Sequence, residues 1–285
     1  MAIKAKIYLF EGNWTQVKNI TSTIMTEGGF KLFGSYAGLF EIANEYNSEV
    51  ILDAQYRPTS REHQMMYVFL PPTLGGYSQL SPLQELVDSY IMLDGKTIKE
   101  TGTSFDENHP YANRDPRLKA TVMYTGNSYT LADGTEVVIN CEKGEGKDGY
   151  GVGSDCSATG YYIKKYWDNT YRATLYSGLN PILIRYADIL LMNAEALAEL
   201  GELDKTAWDA TIKPIRDRAG FTLASALEFP EGASKDKLIE IVRNERRSEL
   251  ALEGHRHKDI IRWRIADNVL NGWCHGLKTN DVVGT

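Results

Sequence analysis

Ile182 to Gly201 reads ILIRYADILLMNAEALAELG. Strong helix formers follow one another with no interior Gly or Pro, and Gly201 stands where a left-handed residue closes a helix. The run predicts a helix over 182–200. Downstream, Ala207 to Ala219 predicts a second helix that Pro214 bends or interrupts, since proline lacks the amide and its ring meets the carbonyl four residues back. The chain opens in the same way: Ile3, Ile7 and Phe10 recur at helical spacing up to Gly12, and Val17, Ile20 and Ile24 mark a second helix ending near Gly28-Gly29. Aligning Gly12 with Gly201 sets Ala5 on Ala194 and Tyr8-Leu9 on Leu197-Ala198, small residues falling where two helices approach closely. Two such hairpins predict a mainly α fold with tetratricopeptide-like units.

Between the hairpins the pattern changes. Glu49–Gln55, Gln64–Leu70, Ala120–Tyr124, Glu136–Asn140 and Tyr161–Trp167 are short β-prone runs, and Pro82–Met92 predicts one helix with Pro in its first turn. A loop-rich stretch of this length inside a helical protein marks an insertion that carries function. The expected organisation is one domain: a helical hairpin over 1–48, an irregular ligand-binding insertion over 49–180 and a helical part over 181–285.

Composition narrows the function. A formal net charge of −7 with no long basic run argues against nucleic acid as partner, and no segment is apolar enough to span a membrane. Three cysteines are too few and too far apart for a zinc-thiolate site. Cys141 and Cys156 flank a glycine-rich loop; an oxidising compartment would allow a disulfide there, two free thiols being the commoner outcome. No phosphate loop, nucleophile elbow or dinucleotide fingerprint occurs, and nothing calls for a cofactor.

The most site-like string is Glu245 to Trp263, ERRSELALEGHRHKDIIRW. A helix from Lys235 to Glu253, capped by Ser234 and stopped at Gly254, places Leu238, Ile241, Val242 and Leu252 on one stripe with Glu245 and Glu249 in its middle. Buried carboxylates require cations, and Arg185, Arg216, Arg218 and Arg256 are the candidates for an ion-pair network. The competing reading is catalytic: two carboxyl groups one turn apart stand ~5 to 6 Å from each other, near the separation of a retaining glycosidase. A third reading gathers Glu253, His255, His257 and Asp259 around a metal, against which helix capping or solvation is the simpler role for the two histidines. Trp263 reads as core.

Seventeen tyrosines supply the remaining chemistry. Aromatic faces among Asn, Asp and Arg suit a sugar, which offers an apolar face for stacking and a rim of hydroxyls. Tyr161, Tyr162 and Tyr166 alternate along a β-prone run and read as packing. Tyr77, Tyr111, Tyr129 and Tyr150, set among Gly, Asn and Pro, are the candidate carbohydrate-binding residues.

Taken together, NPILIRYADILLMNAEALAELG, IKPIRDRAGF and IVRNERRSELALEGHRHKDIIRW resemble the C-terminal signature of the SusD/RagB family of cell-surface glycan-binding lipoproteins. Upstream, KAKIYLFEGNW with GGFKLFGSYAGLF resembles the family's third tetratricopeptide hairpin, and LSPLQELVDSYIMLDGK with NRDPRL its middle region. The resemblance implies helical hairpins scaffolding an irregular glycan-binding portion. It implies a non-catalytic role as well: holding oligosaccharides at the outer membrane and delivering them to a SusC-like TonB-dependent transporter. Family members are usually longer and begin with a lipoprotein signal and lipidated cysteine, so the implied chain is a C-terminal portion whose lipid anchor lies upstream. The family's binding residues vary too much to carry over singly, and the tyrosine assignments rest on local composition. A non-glycan protein-interaction scaffold and the hydrolase built on Glu245 and Glu249 remain the alternatives.

Overall fold

The computed structural model describes residues 1–170 and 174–278. Helices α1 (Ala2–Glu11) and α2 (Trp14–Glu27) form the first hairpin, α2 beginning where the Asn13 side chain accepts the Gln16 amide at 3.3 Å. Chain closure at α1 and at α6 (Tyr186–Leu200) is the same. Gly12 and Gly201 both take left-handed backbone, their amides return to Leu9 and Ala198, and the following amides return to Tyr8 and Leu197. Ala5 and Ala194 are both fully enclosed, as the alignment of the two hairpins requires.

Helix α6 is the central element. It is buried on nearly every side, packing on α2 and on α10 (Lys235–Glu249), and Ala187, Ala194, Ala196 and Ala198 let its neighbours approach. The Asn193 amide bonds the Thr21 and Ser22 hydroxyls of α2 at 2.9 and 3.1 Å. Its partner in the second hairpin is broken into α7 (Lys205–Ala210) and α8 (Ile212–Ala219) at Thr211, three residues ahead of Pro214, which sits in the first turn of α8. Trp208 anchors α7, its indole donating to Leu227 O of the short helix α9 (Ala224–Leu227) at 2.8 Å.

Among the described residues, the chain between the hairpins and the start of the second one form three two-stranded antiparallel ladders. Strand β1 (Val50–Asp53) pairs with β6 (Ile182–Arg185), β2 (Val122–Met123) with β5 (Tyr162–Ile163), and β3 (Ser128–Thr130) with β4 (Glu136–Val138). Short helices α3 (Met65–Phe69), α4 (Gln84–Ser89) and α5 (Pro116–Thr121) punctuate it. A separate core of Phe40, Phe69, Met123, Tyr129, Tyr162 and Trp167 lies beneath.

Several elements differ from expectation. Residues 182–185 are strand, because the β-branched Ile182 and Ile184 complete the ladder with β1, so the helix starts only at Tyr186. Gln64–Leu70 forms helix α3, burying Met66 and Phe69 one turn apart, with no partner strand beside it. The 82–92 helix contracts to α4, which leaves Pro82 outside, and the β-prone runs at 120–124, 136–140 and 161–167 shrink to two or three paired residues each. On α1 the inward face is Ala2, Ala5 and Leu9, and Ile3, Ile7 and Phe10 face solvent. Cys141 and Cys156 are both free thiols.

Gly201 has φ of 73° and open space around its Cα, so a Gly201→Ala cost comes from backbone alone. We expect a loss of about 1 kcal/mol, less for Gly201→Asn, measured by urea denaturation.

Candidate functional site

Helix α10 is capped by Ser234 as expected, the hydroxyl accepting the Lys237 amide at 3.2 Å. It ends at Glu249, a turn earlier than read; Leu252 then takes φ of 64° and lies partly exposed, and the chain curls so that Glu253 turns inward. Glu245 and Glu249 are buried, and each meets arginine. The Glu249 carboxylate accepts from Arg185 at 2.6 Å, from Arg117 at 2.8 Å and from Arg218. Glu245 takes Arg216 Nε at 2.7 Å, and its other oxygen lies 2.7 Å from the Arg117 Nη1 that bonds Glu249.

The network extends well beyond α10. Arg117 forks onto Asp115 at 3.0 and 2.7 Å. All five N–H donors of Arg185 are used, on Glu49, Glu249, the Glu249 carbonyl and both oxygens of Glu253, at 2.6 to 2.8 Å. The Lys165 ammonium caps Glu253 at 2.7 Å, bonds Ala251 O and the Tyr36 hydroxyl, and lies 4.2 Å from the Phe40 ring centroid. Asp115, Glu49, Glu245, Glu249 and Glu253 thus face Arg117, Arg185, Arg216, Arg218 and Lys165, a balanced set. Such balance is what burial demands, since an unpaired ion in this interior costs several kcal/mol.

Protonation follows the same logic. Burial pushes the Glu249 carboxyl up, but Arg218, Arg185 and Arg117 more than offset it and hold the group well below the usual carboxylate range. Burial likewise opposes Arg185 and Lys165 at Glu253, whose carboxyl ends at about 2. Both stay ionised. Burial lowers Lys165 to about 8, with Glu253 pulling the other way.

A hydrolase has no access to this pair: both carboxylates are enclosed and held by guanidinium groups, out of reach of a substrate. The metal reading dissolves too. Glu253 belongs to Arg185 and Lys165, and Asp259 to Arg246 and Arg262 at 2.9 and 2.8 Å. The His255 ring packs 3.3 Å from Arg246 Nη2, and His257 is exposed. Arg256, expected in the network, instead faces the Trp263 ring at 5.8 Å and makes no ion pair among the described residues. Trp263 is buried, its indole donating to Glu195 at 2.6 Å.

The four tyrosines separate by environment. Tyr129 is fully enclosed, because its place opposite Val137 in the β3–β4 ladder turns it inward, where its hydroxyl donates to Ile163 O at 2.6 Å; it has no face for a ligand. Tyr111 is half-buried, stacked on Tyr124 at 3.9 Å between centroids, with its hydroxyl on that of Tyr161. Tyr150 is 38% exposed, on a loop tied by the Tyr150 amide to Cys141 O. Tyr77 is 46% exposed and stacks on Tyr67, centroids 5.5 Å apart and planes 13° apart. Its loop folds back on α3 through Tyr77 N to Tyr67 O and Leu80 N to Val68 O, both 2.8 Å. Gly76 makes that fold possible, since a Cβ there would lie 2.1 Å from Leu70 O. Among the described residues no ring contact joins two of the four. Sequence reasoning passed over Tyr67, whose run it took for a strand.

A family model described as the SusD family matches residues 38–281. This chain belongs to the SusD family. A SusD-like protein of Formosa agariphila, P25, is 27% identical over 286 residues, covering 94% of this chain and 50% of its own length. A crystal structure described as a SusD-like carbohydrate binding protein from Bacteroides fragilis is 29% identical with a TM-score of 0.82, over 95% of this chain and 53% of that one. A second SusD-like protein from the same species is 28% identical with a TM-score of 0.75, over 93% and 54%. The chain therefore spans about half the length of these SusD relatives.

The SusD signature string is accordingly the seat of the ion-pair network. Glu249→Ala leaves Arg185, Arg218 and Arg117 with an unmatched charge, and we expect a loss of roughly 3–5 kcal/mol by urea denaturation; Glu245→Ala should behave alike. Acid acts on the same groups. Glu253 takes its proton near 2 when folded and near ~4.3 when unfolded, so its contribution, on the order of 3 kcal/mol, is full above the unfolded value and lost as pH falls toward 2. Burial also holds His255 down to about 4, opposed by Asp188, which adds a loss beginning as pH falls below ~6.5. Urea midpoints should fall from pH 7 to 5 and more steeply from 5 to 3.

Proposed function

We propose that this protein binds a glycan at the cell surface without turning it over, and that it hands the oligosaccharide to a TonB-dependent transporter of the outer membrane. The SusD-family match is the observation that carries the reading, and the B. fragilis relative described as carbohydrate binding supports it. The exposed Tyr77 face, backed by Tyr67, supports a binding role for Tyr77: two parallel rings held by a glycine turn offer a rigid platform suited to the apolar face of a sugar. Tyr150 is the second candidate contact, and Tyr111 a third limited by its stacking on Tyr124. No helix among the described residues is long and apolar enough to cross a membrane.

Isothermal titration against a glycan retained by the protein tests the platform. Tyr77→Ala should weaken binding about tenfold, in line with the ~0.5–1.5 kcal/mol of an aromatic contact plus its lost area, and lower the melting temperature only slightly through the lost stacking on Tyr67. Tyr129→Phe should do the reverse, costing about 1 kcal/mol of stability with affinity intact. Equal affinity in Tyr77→Ala and the parent would remove Tyr77 from the site. Co-purification with an outer-membrane transporter in the presence and absence of glycan tests the partnership, and separates this reading from a scaffold that binds protein alone.

A further inference from the structure

A cleft of about 460 Å³ opens between α5, the turn at Ala37–Glu41 and the segment 164–169. Its floor is apolar: Phe40 and Tyr166 meet edge to face at 5.0 Å between centroids, and the Trp167 indole is pinned by its bond to Thr130 O at 2.8 Å. Tyr166 takes φ of 64°, a left-handed conformation rare for a bulky residue and costly enough to persist only where the surroundings enforce it.

The wall is cationic in an otherwise acidic chain. Lys119, Lys164 and Lys165 line it against the single carboxylate of Glu41. Lys165 is matched by Glu253 from within. Lys119 and Lys164 make no ion pair among the described residues, and Lys164 finds only the Asn127 side-chain oxygen at 3.0 Å. Glu136, whose oxygens take the Ser128 and Thr130 hydroxyls, acts on Lys164 and Lys119 from a distance without an ion-pair contact to either. Burial first and Lys119 second push the Lys164 ammonium below the usual lysine range, the direction that an incoming anion would reverse.

We infer that this cleft is a subsite for an acidic sugar, whose carboxylate or sulfate ester lies between the Lys119 and Lys164 ammonium groups with its ring over the Tyr166 and Trp167 edges. The inference rests on the glycan-binding reading and specifies the glycan as anionic. Two cations with no carboxylate in direct contact, beside an aromatic floor, match such a residue in charge and shape.

A glycan array carrying neutral, uronate and sulfated oligosaccharides, probed with the protein and with Lys119→Glu and Lys164→Met, tests it. Thermal melting confirms that each variant is folded, and Lys119 is exposed, so its substitution carries the test even where the half-buried Lys164 does not tolerate change. The expected result is retention of charged glycans, weakened about tenfold or more by Lys119→Glu and by added salt. A uronate-only or sulfate-only pattern tells which anion is recognised. Retention of neutral glycans alone, or of charged glycans undiminished in both variants, overturns the acidic subsite and leaves the glycan reading standing. Retention of no glycan defeats the glycan reading and the subsite with it.

Discussion

The carboxylate of Glu249 accepts guanidinium groups from Arg117 on α5, Arg185 at the end of β6 and Arg218 on α8. Those three elements come from the insertion, from the strand that closes it and from the second hairpin. No apolar contact joins them so specifically, because dispersion and burial are indifferent to a slide of an ångström or two while a shared oxygen is not. Replacing buried ion pairs with apolar side chains is often neutral or stabilising in proteins, so net stability is a poor account of why five carboxylates and five cations gather here. The arrangement they enforce is the better one. With Arg185 using every donor, a shift of β6 against α10 or against Glu49 strands a charge in an interior with no water to receive it.

A second, smaller set repeats the device along α6, from Asp188 in its first turn to Glu195. Lys6 on α1 and Arg246 on α10 meet Asp188, Arg246 continues to Asp259, and Arg262 joins Asp259 to Glu195. Arg246 is the residue next to Glu245, so neighbouring positions on one helix point charged groups into two separate networks. The helical hairpins pack through alanines that permit close approach but select no register; the Asn193 bonds to α2 and the charged residues Glu245, Arg246 and Glu249 of α10 supply the selection.

Local signals in the sequence carried the helices: left-handed glycines at 12 and 201, the Ser234 cap and the broken run before Pro214 all act within a turn or two of themselves. Signals that depend on distant chain were not legible. Ile182 to Arg185 is helix-compatible by its neighbours, and only pairing with Val50 to Asp53 makes it strand. The inward phase of Glu245 and Glu249 was readable from periodicity, yet their partner Arg117 stands 132 residues from Glu249 and carries no mark beyond an Asp-Pro-Arg string. For the tyrosines, composition treats Tyr77 and Tyr129 alike. What separates them is ladder register in one case and, in the other, the close approach of Gly76 to Leu70, and each is a contact with chain several residues away from the ring.

Recognition surface and structural network meet at Lys165. Its ammonium is a member of the balanced core set through Glu253, and its stem lines the cleft beside Phe40, whose ring lies under that same ammonium. A ligand entering the cleft therefore approaches a wall whose geometry is already fixed from behind, and little conformational freedom is left to lose on binding. The charge balance also explains why the cations open to a ligand are Lys119 and Lys164. Lys165, the deeper cation of the cleft, is neutralised by Glu253 within the core, so the field available to a ligand belongs to Lys119 and Lys164, where an anion can reach them without crossing the network.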